Sequence, residues 1–263
     1  MTKINLNNIS INYKLEGEGE TIVFVHGLSD SLKYWHILIN ELKRNYKVLS
    51  FDLRGHGKSG DDGRETTIDL YQEDLYCLLK ALKIENAVFV GLSLGGNIIL
   101  DLAINHPEMV NGLIVMSSFS EHTEKLKQIF DEFEKGIDKG FVEFYDTILP
   151  YTLTEDMLEK HKETLEIIKY EAAKTANIDG IKKGIRAGYG LDITDKLNTI
   201  NAPAIIITGE EDNLTDLDVQ KKICDNIKGS RLIVLEKTKH NILIGRNIEK
   251  VLKIINDFML KID

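Results

Sequence analysis

The sequence predicts an α/β fold: a mostly parallel, eight-stranded sheet with helices on both faces and an inserted helical cap. Three observations carry this expectation. Continuous apolar runs of strand length recur at Thr21–Val25, Lys47–Phe51, Ala87–Val90 and Gly112–Met116, the mark of strands covered on both faces. Helix-like stretches separate them, as parallel neighbours joined by crossovers require. The alternation stops from about Phe119 to Tyr189 and resumes with Ala204–Ile207 and Leu232–Leu235.

In chain order, Ile4, Leu6, Ile9, Ile11 and Tyr13 alternate around Asn7-Asn8, an antiparallel hairpin that brings the strands from six to eight. A helix is expected from about Leu32 to Lys43. Another spans about Thr67 to Leu82, with Tyr71, Leu75, Leu78, Leu79 and Leu82 on one face. The helix after Ala87–Val90 ends by His106-Pro107, because proline disfavours the helical conformation of the residue before it. Between 119 and 190, Leu126, Ile129, Phe130 and Phe133 form one helical stripe and Phe141, Phe144, Tyr145 and Ile148 another. Closing helices are expected near Asp218–Ile227 and Asn247–Leu260. The organisation is one core domain, residues 1–118 and 195–263, with a cap, 119–194, over the carboxyl ends of the strands, where such sheets hold their sites.

Composition narrows the function classes. The 263 residues are 43% hydrophobic and 29% charged, enough for one large core. A net charge of −9 argues against nucleic acid as a partner. No apolar run approaches the ~18 residues of a membrane span. The start, Met1 to Asn8, lacks an apolar signal core. The expectation is a cytoplasmic protein with no membrane partner. Cys77 and Cys224 read as free thiols of a reducing compartment. Neither has a CxxC neighbour or a clustered histidine, so no metal or other cofactor is expected.

The stretch Gly91-Leu92-Ser93-Leu94-Gly95 is G-x-S-x-G between a strand-like and a helix-like run, the setting of a nucleophile elbow. The pattern alone is weak; an ordinary strand-to-helix loop with a serine cap reads the same way. Its partners decide. A serine hydroxyl needs a base within reach, and the base needs an orienting acid. The acid is expected just past a late strand, where Asp212 is the choice, with Glu210, Glu211 and Asp216 as competitors. The base is expected after the last strand, where His240 is the only histidine beyond His161. His26 and His56 precede glycines in tight turns and are expected to bind loop backbone. His36, His122 and His161 fall in helix-like stretches, and His106 precedes a proline. An oxyanion needs two donors: the N–H of Leu94, directly after the serine, and the N–H of Leu28 in the loop after Thr21–Val25. Gly55 to Gly60 spells G-x-G-x-x-G, but Asp61-Asp62-Gly63-Arg64 follows instead of a helix, so dinucleotide binding is not expected.

Together, His26-Gly27, Asp52-Leu53-Arg54-Gly55-His56-Gly57-Lys58-Ser59, Gly91 to Gly96, Pro203 to Asp212 and His240 resemble the α/β-hydrolase fold family over essentially the whole chain. The resemblance implies Ser93 as nucleophile, Asp212 as acid, His240 as base, main-chain donors at Leu28 and Leu94, and a variable cap. Leu-Ser-Leu-Gly-Gly is similar to enol-lactonases and small carboxylesterases. The chain departs from many relatives around His240, which Lys239 precedes and Ile242-Leu243-Ile244-Gly245 follows. The expected function is a serine hydrolase of a small-molecule carboxylic ester, lactone or thioester acting through an acyl-enzyme. The alternatives are a C–C bond hydrolase, perhydrolase or peptidase with the same triad, and a receptor-like binding module. Trp35, Phe119, Tyr145, Tyr151 and Tyr189 are candidate pocket residues, although packing between helices explains each of them equally well.

Overall fold

Alternation within a single strand shows how the layers form. In β3 (Thr21–Val25), Ile22 and Phe24 point into one core while Val23 and Val25 point into another. The computed structural model describes residues 2–262. Beside β3 lie β4 (Lys47–Phe51) and β5 (Ala87–Leu92), followed outward from β5 by β6 (Val110–Met116), β7 (Ala204–Gly209) and β8 (Arg231–Leu235). These six are parallel. The hairpin β1 (Thr2–Leu6) and β2 (Ile9–Glu16) adds two antiparallel strands beside β4, giving the order β1-β2-β4-β3-β5-β6-β7-β8.

That order reverses direction at β3. The chain moves one way to β4, then crosses back to place β5 on the other side of β3. Such a switch point leaves a crevice at the carboxyl ends of β3 and β5, because the loops leave in opposite directions. The residues after Val25 and after Leu92 therefore come together.

Helices α2 (Ile68–Ala81), α3 (Leu94–Asn105) and α9 (Leu217–Asn226) cover one face, and α1 (His36–Leu42) and α10 (Asn247–Ile262) cover the other. The Thr67 hydroxyl caps α2 by accepting from the Leu70 N–H at 3.1 Å. Two readings need correction. The stretch expected as one helix from Leu32 opens as a 3-10 turn, Leu32–Trp35, before α1. β8 is an edge strand rather than a buried one: among the described residues no strand pairs beyond it, and Val234 is 41% exposed.

Between β6 and β7 run α4 (Glu124–Lys139), α5 (Phe141–Thr152), α6 (Glu155–Lys160), α7 (Lys162–Ala173) and α8 (Ile178–Ala187). The two apolar stripes read from the sequence meet, with Phe133 and Phe144 edge to face at 6.1 Å. His122 and His161 lie in connections outside these helices, contrary to expectation. The chain leaves and re-enters the core at one place: His122 N–H donates to Leu191 O at 2.8 Å and Ile193 N–H to Ser120 O at 2.9 Å. Among the described residues no helix is long and apolar enough to cross a membrane.

Candidate active site

Ser93 follows β5 with φ 52° and ψ −115°, a conformation that costs a non-glycine residue roughly 1–3 kcal/mol. The surroundings hold it there. Its N–H donates to Met116 O at 2.8 Å, and its carbonyl accepts from the Ser118 hydroxyl at 2.9 Å. A Cβ on Gly95 would stand 2.1 Å from Val25 O, so the elbow can close only on glycine. Leu94 opens α3, where the first N–H groups have no helical acceptor and the helix dipole favours negative charge. Gly27 passes within contact of the elbow, its Cβ direction 3.5 Å from Ser93 Cβ, which brings Leu28 to the same spot.

Asp212 follows β7 and is wholly enclosed. Its Oδ1 accepts from the N–H groups of Leu214 and Thr215 at 3.0 and 2.9 Å, and Oδ2 accepts from the Thr215 hydroxyl at 3.0 Å. Oδ2 is also 3.0 Å from His240 Nδ1. Burial alone raises the carboxyl pKa, but His240 and these donors outweigh it and hold it below the ordinary carboxylate value. An ionised carboxylate only accepts, so Nδ1 of His240 carries a proton and Nε2 is left as the basic nitrogen. Glu210 instead accepts from the Lys237 N–H, and Asp216 caps α9 and pairs with Lys125. Asp212 alone of the acidic candidates touches the histidine.

The His240 loop is tied to the end of α5. Its last carbonyls, which lack helical partners, accept from this loop: Pro150 O from Lys239 Nζ at 2.7 Å, Tyr151 O from His240 N–H at 3.4 Å, and Thr152 O from Asn241 N–H at 3.1 Å. On its other side the Asn241 amide oxygen accepts from the Tyr34 hydroxyl at 2.8 Å.

Ser93, Leu94, Leu28 and His240 all border one cavity of about 410 Å³ between the sheet and α4, α5, α7 and α8. Its wall is mostly apolar, with Phe119, Phe130, Phe133, Phe141, Phe144 and Tyr145 prominent. Of the five pocket candidates, Phe119 and Tyr145 line it. Trp35 does not, because it is fully buried against Phe24 on the opposite side of the sheet. Tyr151 and Tyr189 do not, because their hydroxyls turn outward to Glu132 and Asp131. Thr215 and the phenylalanines of α4 and α5 were not singled out as site residues. Asp212-x-x-Thr215, an acid followed three residues on by a hydroxyl, was the available signal for the first.

A sequence profile of the alpha/beta hydrolase fold matches residues 20–246. The chain belongs to the α/β-hydrolase fold family. The 3-oxoadipate enol-lactonase 2 of Acinetobacter baylyi is 27% identical over 236 residues, covering 89% of this chain and 87% of that one. The proline iminopeptidase of Saccharolobus solfataricus is 29% identical over 275 residues, covering 94% and 87%. A solved α/β hydrolase enzyme from a Medee basin deep-sea metagenome library superposes with a TM-score of 0.92 at 23% identity, covering 98% and 97%.

Two motif histidines of this α/β-hydrolase chain are held by backbone. His26 Nδ1–H donates to Gly27 O at 2.8 Å while Nε2 accepts from Leu53 N–H at 3.0 Å. Burial, then the neighbouring His56, lowers the His26 pKa to about 3, so it stays neutral and braces the loop carrying Leu28. His56 Nδ1–H donates to Arg54 O at 2.9 Å. Among the described residues no group of three or more His, Cys, Asp or Glu side chains is placed to hold a metal ion.

Proposed function

We propose that the chain is a serine hydrolase that cleaves a small, largely apolar carboxylic ester or lactone through an acyl-enzyme. Ser93 attacks the carbonyl carbon, and His240 Nε2 takes the hydroxyl proton and returns it to the leaving oxygen. Asp212 holds the imidazole tautomer and steadies its charged form. The N–H groups of Leu28 and Leu94 bind the oxyanion, each worth about 3 kcal/mol in the transition state. Water then repeats the sequence and releases the acid. A serine at the elbow disfavours the alkyl-enzyme route that an aspartate would take. Residues 119–194 serve as the cap that walls the acyl or leaving group.

The observation that carries this reading is the 3.0 Å contact between His240 Nδ1 and buried Asp212, on the same cavity as a serine held at positive φ. Its apolar wall favours hydrocarbon substrates. The name of the enol-lactonase relative agrees with ester chemistry. The test is labelling with a fluorophosphonate, wild type against Ser93→Ala, beside a panel of esters of graded acyl length. Labelling confined to wild type, with turnover of at least one ester, is expected. Equal labelling of both proteins removes the Ser93 assignment.

A further inference from the structure

A second cavity, of about 270 Å³, adjoins the first, and Ser29, Asp30, Phe141 and Ala172 line both. Where the first is walled by aromatic and aliphatic side chains, the second is bordered by Asn12, Asp52, His56, Lys58 and Asn177. Asp30 stands at their junction. Its Oδ1 accepts from Ser31 N–H at 2.8 Å, and among the described residues Oδ2 has no hydrogen-bond partner. The side chain is half-buried, so it remains reachable from the cavities.

Several ionisable groups surround it. Asp52 at the end of β4, Lys33, and His56 and Lys58 in the loop after β4 border the second cavity. Tyr34, Tyr145 and His240 border the first. None forms an ion pair with Asp30, and Asp52 is satisfied by Asn12 Nδ2 and the N–H groups of Leu32 and Lys58. Enclosure, opposed by the Ser31 N–H and aided by Asp52, pushes the Asp30 pKa up to about 7. Below that pH the group is a neutral donor.

We infer that Asp30 is a specificity-determining residue: its free oxygen, placed where the apolar chamber meets the polar one, donates a hydrogen bond to an uncharged carbonyl oxygen that the substrate carries apart from its scissile bond. The substrate class is an ester or lactone whose apolar chain bears a ketone or amide. An anionic group against the Asp30 oxygen would face Asp52, whose charge acts on Asp30, while Lys33 and Lys58 border the same chamber. A plain chain would leave the carboxyl unpaired, which is how a buried polar group rejects the analogue lacking its partner. The inference rests on the proposed ester chemistry only for its readout by turnover.

The test uses p-nitrophenyl octanoate against a series of its oxo derivatives, with the ketone moved one carbon at a time. Wild type is expected to favour one oxo ester by about tenfold in kcat/KM, the value of one good hydrogen bond. The preference should decline as pH rises through about 7. Asp30→Asn, which keeps an N–H donor, should retain it with no such decline. Asp30→Leu should bring the ratio within about twofold of unity, and because two substrates are compared on one protein, changes in folding cancel. Binding of the same esters to Ser93→Ala, measured by calorimetry, needs no turnover. A Kd preference there with no hydrolysis by wild type would sink the ester chemistry and leave the inference standing. Equal Kd values across the series, or a wild-type ratio in Asp30→Leu, overturns it.

Discussion

On the core side of the cavity backbone packs on backbone: a Cβ on Gly95 would strike Val25 O at 2.1 Å, and one on Gly91 would strike Gly95 O at 2.5 Å. On the side of α4 to α8, side chains meet side chains: a Cβ on Gly188 would meet the rim of the Phe130 ring at 2.6 Å. Peptide groups cannot move without breaking β3 and β5, whereas a phenylalanine can turn about its χ angles. The sheet-side wall is therefore suited to holding Ser93, Leu94 and Leu28 in one geometry, and the wall from α4 to α8 to setting chamber shape. The contrast is strongest where the two join, since the His240 loop takes its support from the end of α5.

The sharpest test of the rigid wall is Ser93 itself. On the proposed mechanism Ser93→Ala should lower ester turnover by roughly 10⁵-fold, read by steady-state kinetics, with the fold retained. Ser93→Gly should be equally inactive yet more stable by about 1 kcal/mol in urea unfolding, because glycine releases the strain at φ 52°. No gain would mean the elbow is relaxed. Asp212→Asn should cost roughly 10⁴-fold in kcat by losing the required tautomer.

Asp212 also gives a stability signature. Its folded pKa lies below the unfolded value of about 3.9, so its contribution is complete at neutral pH and fades as pH falls below about 4. Acid unfolding scans should show that loss in wild type and less of it in Asp212→Asn.

Two glycine substitutions set the walls against each other. Gly95→Ala should destabilise by more than about 3 kcal/mol, because backbone on both sides must shift. Gly188→Ala should cost under about 1.5 kcal/mol, since only the Phe130 ring needs to turn. By crowding the chamber it should lower kcat/KM for long acyl esters several-fold and leave acetyl esters nearly unchanged. Equal unfolding costs would erase the distinction.

Much was determined by sequence alone, because it rests on local rules. Continuous apolar runs of strand length separated by helix-like stretches dictate a parallel sheet, and G-x-S-x-G between a strand and a helix marks a turn. His240 and the acidic stretch from Glu210 to Asp216 could be picked out because each lies in the loop after a late strand. Which of Asp212, Glu210, Glu211 and Asp216 touches a histidine 28 positions on is visible only in the tertiary structure, where Asp212, the residue favoured by position, makes the contact. Tertiary structure also decided which aromatics line the cavity. Trp35 is close in sequence to Leu28 yet buried beneath the sheet, while Tyr151 and Tyr189 turn their hydroxyls to acids on the outer side of α4. Helical spacing shows which residues share a face, but only the packing of one helix on another shows what that face meets.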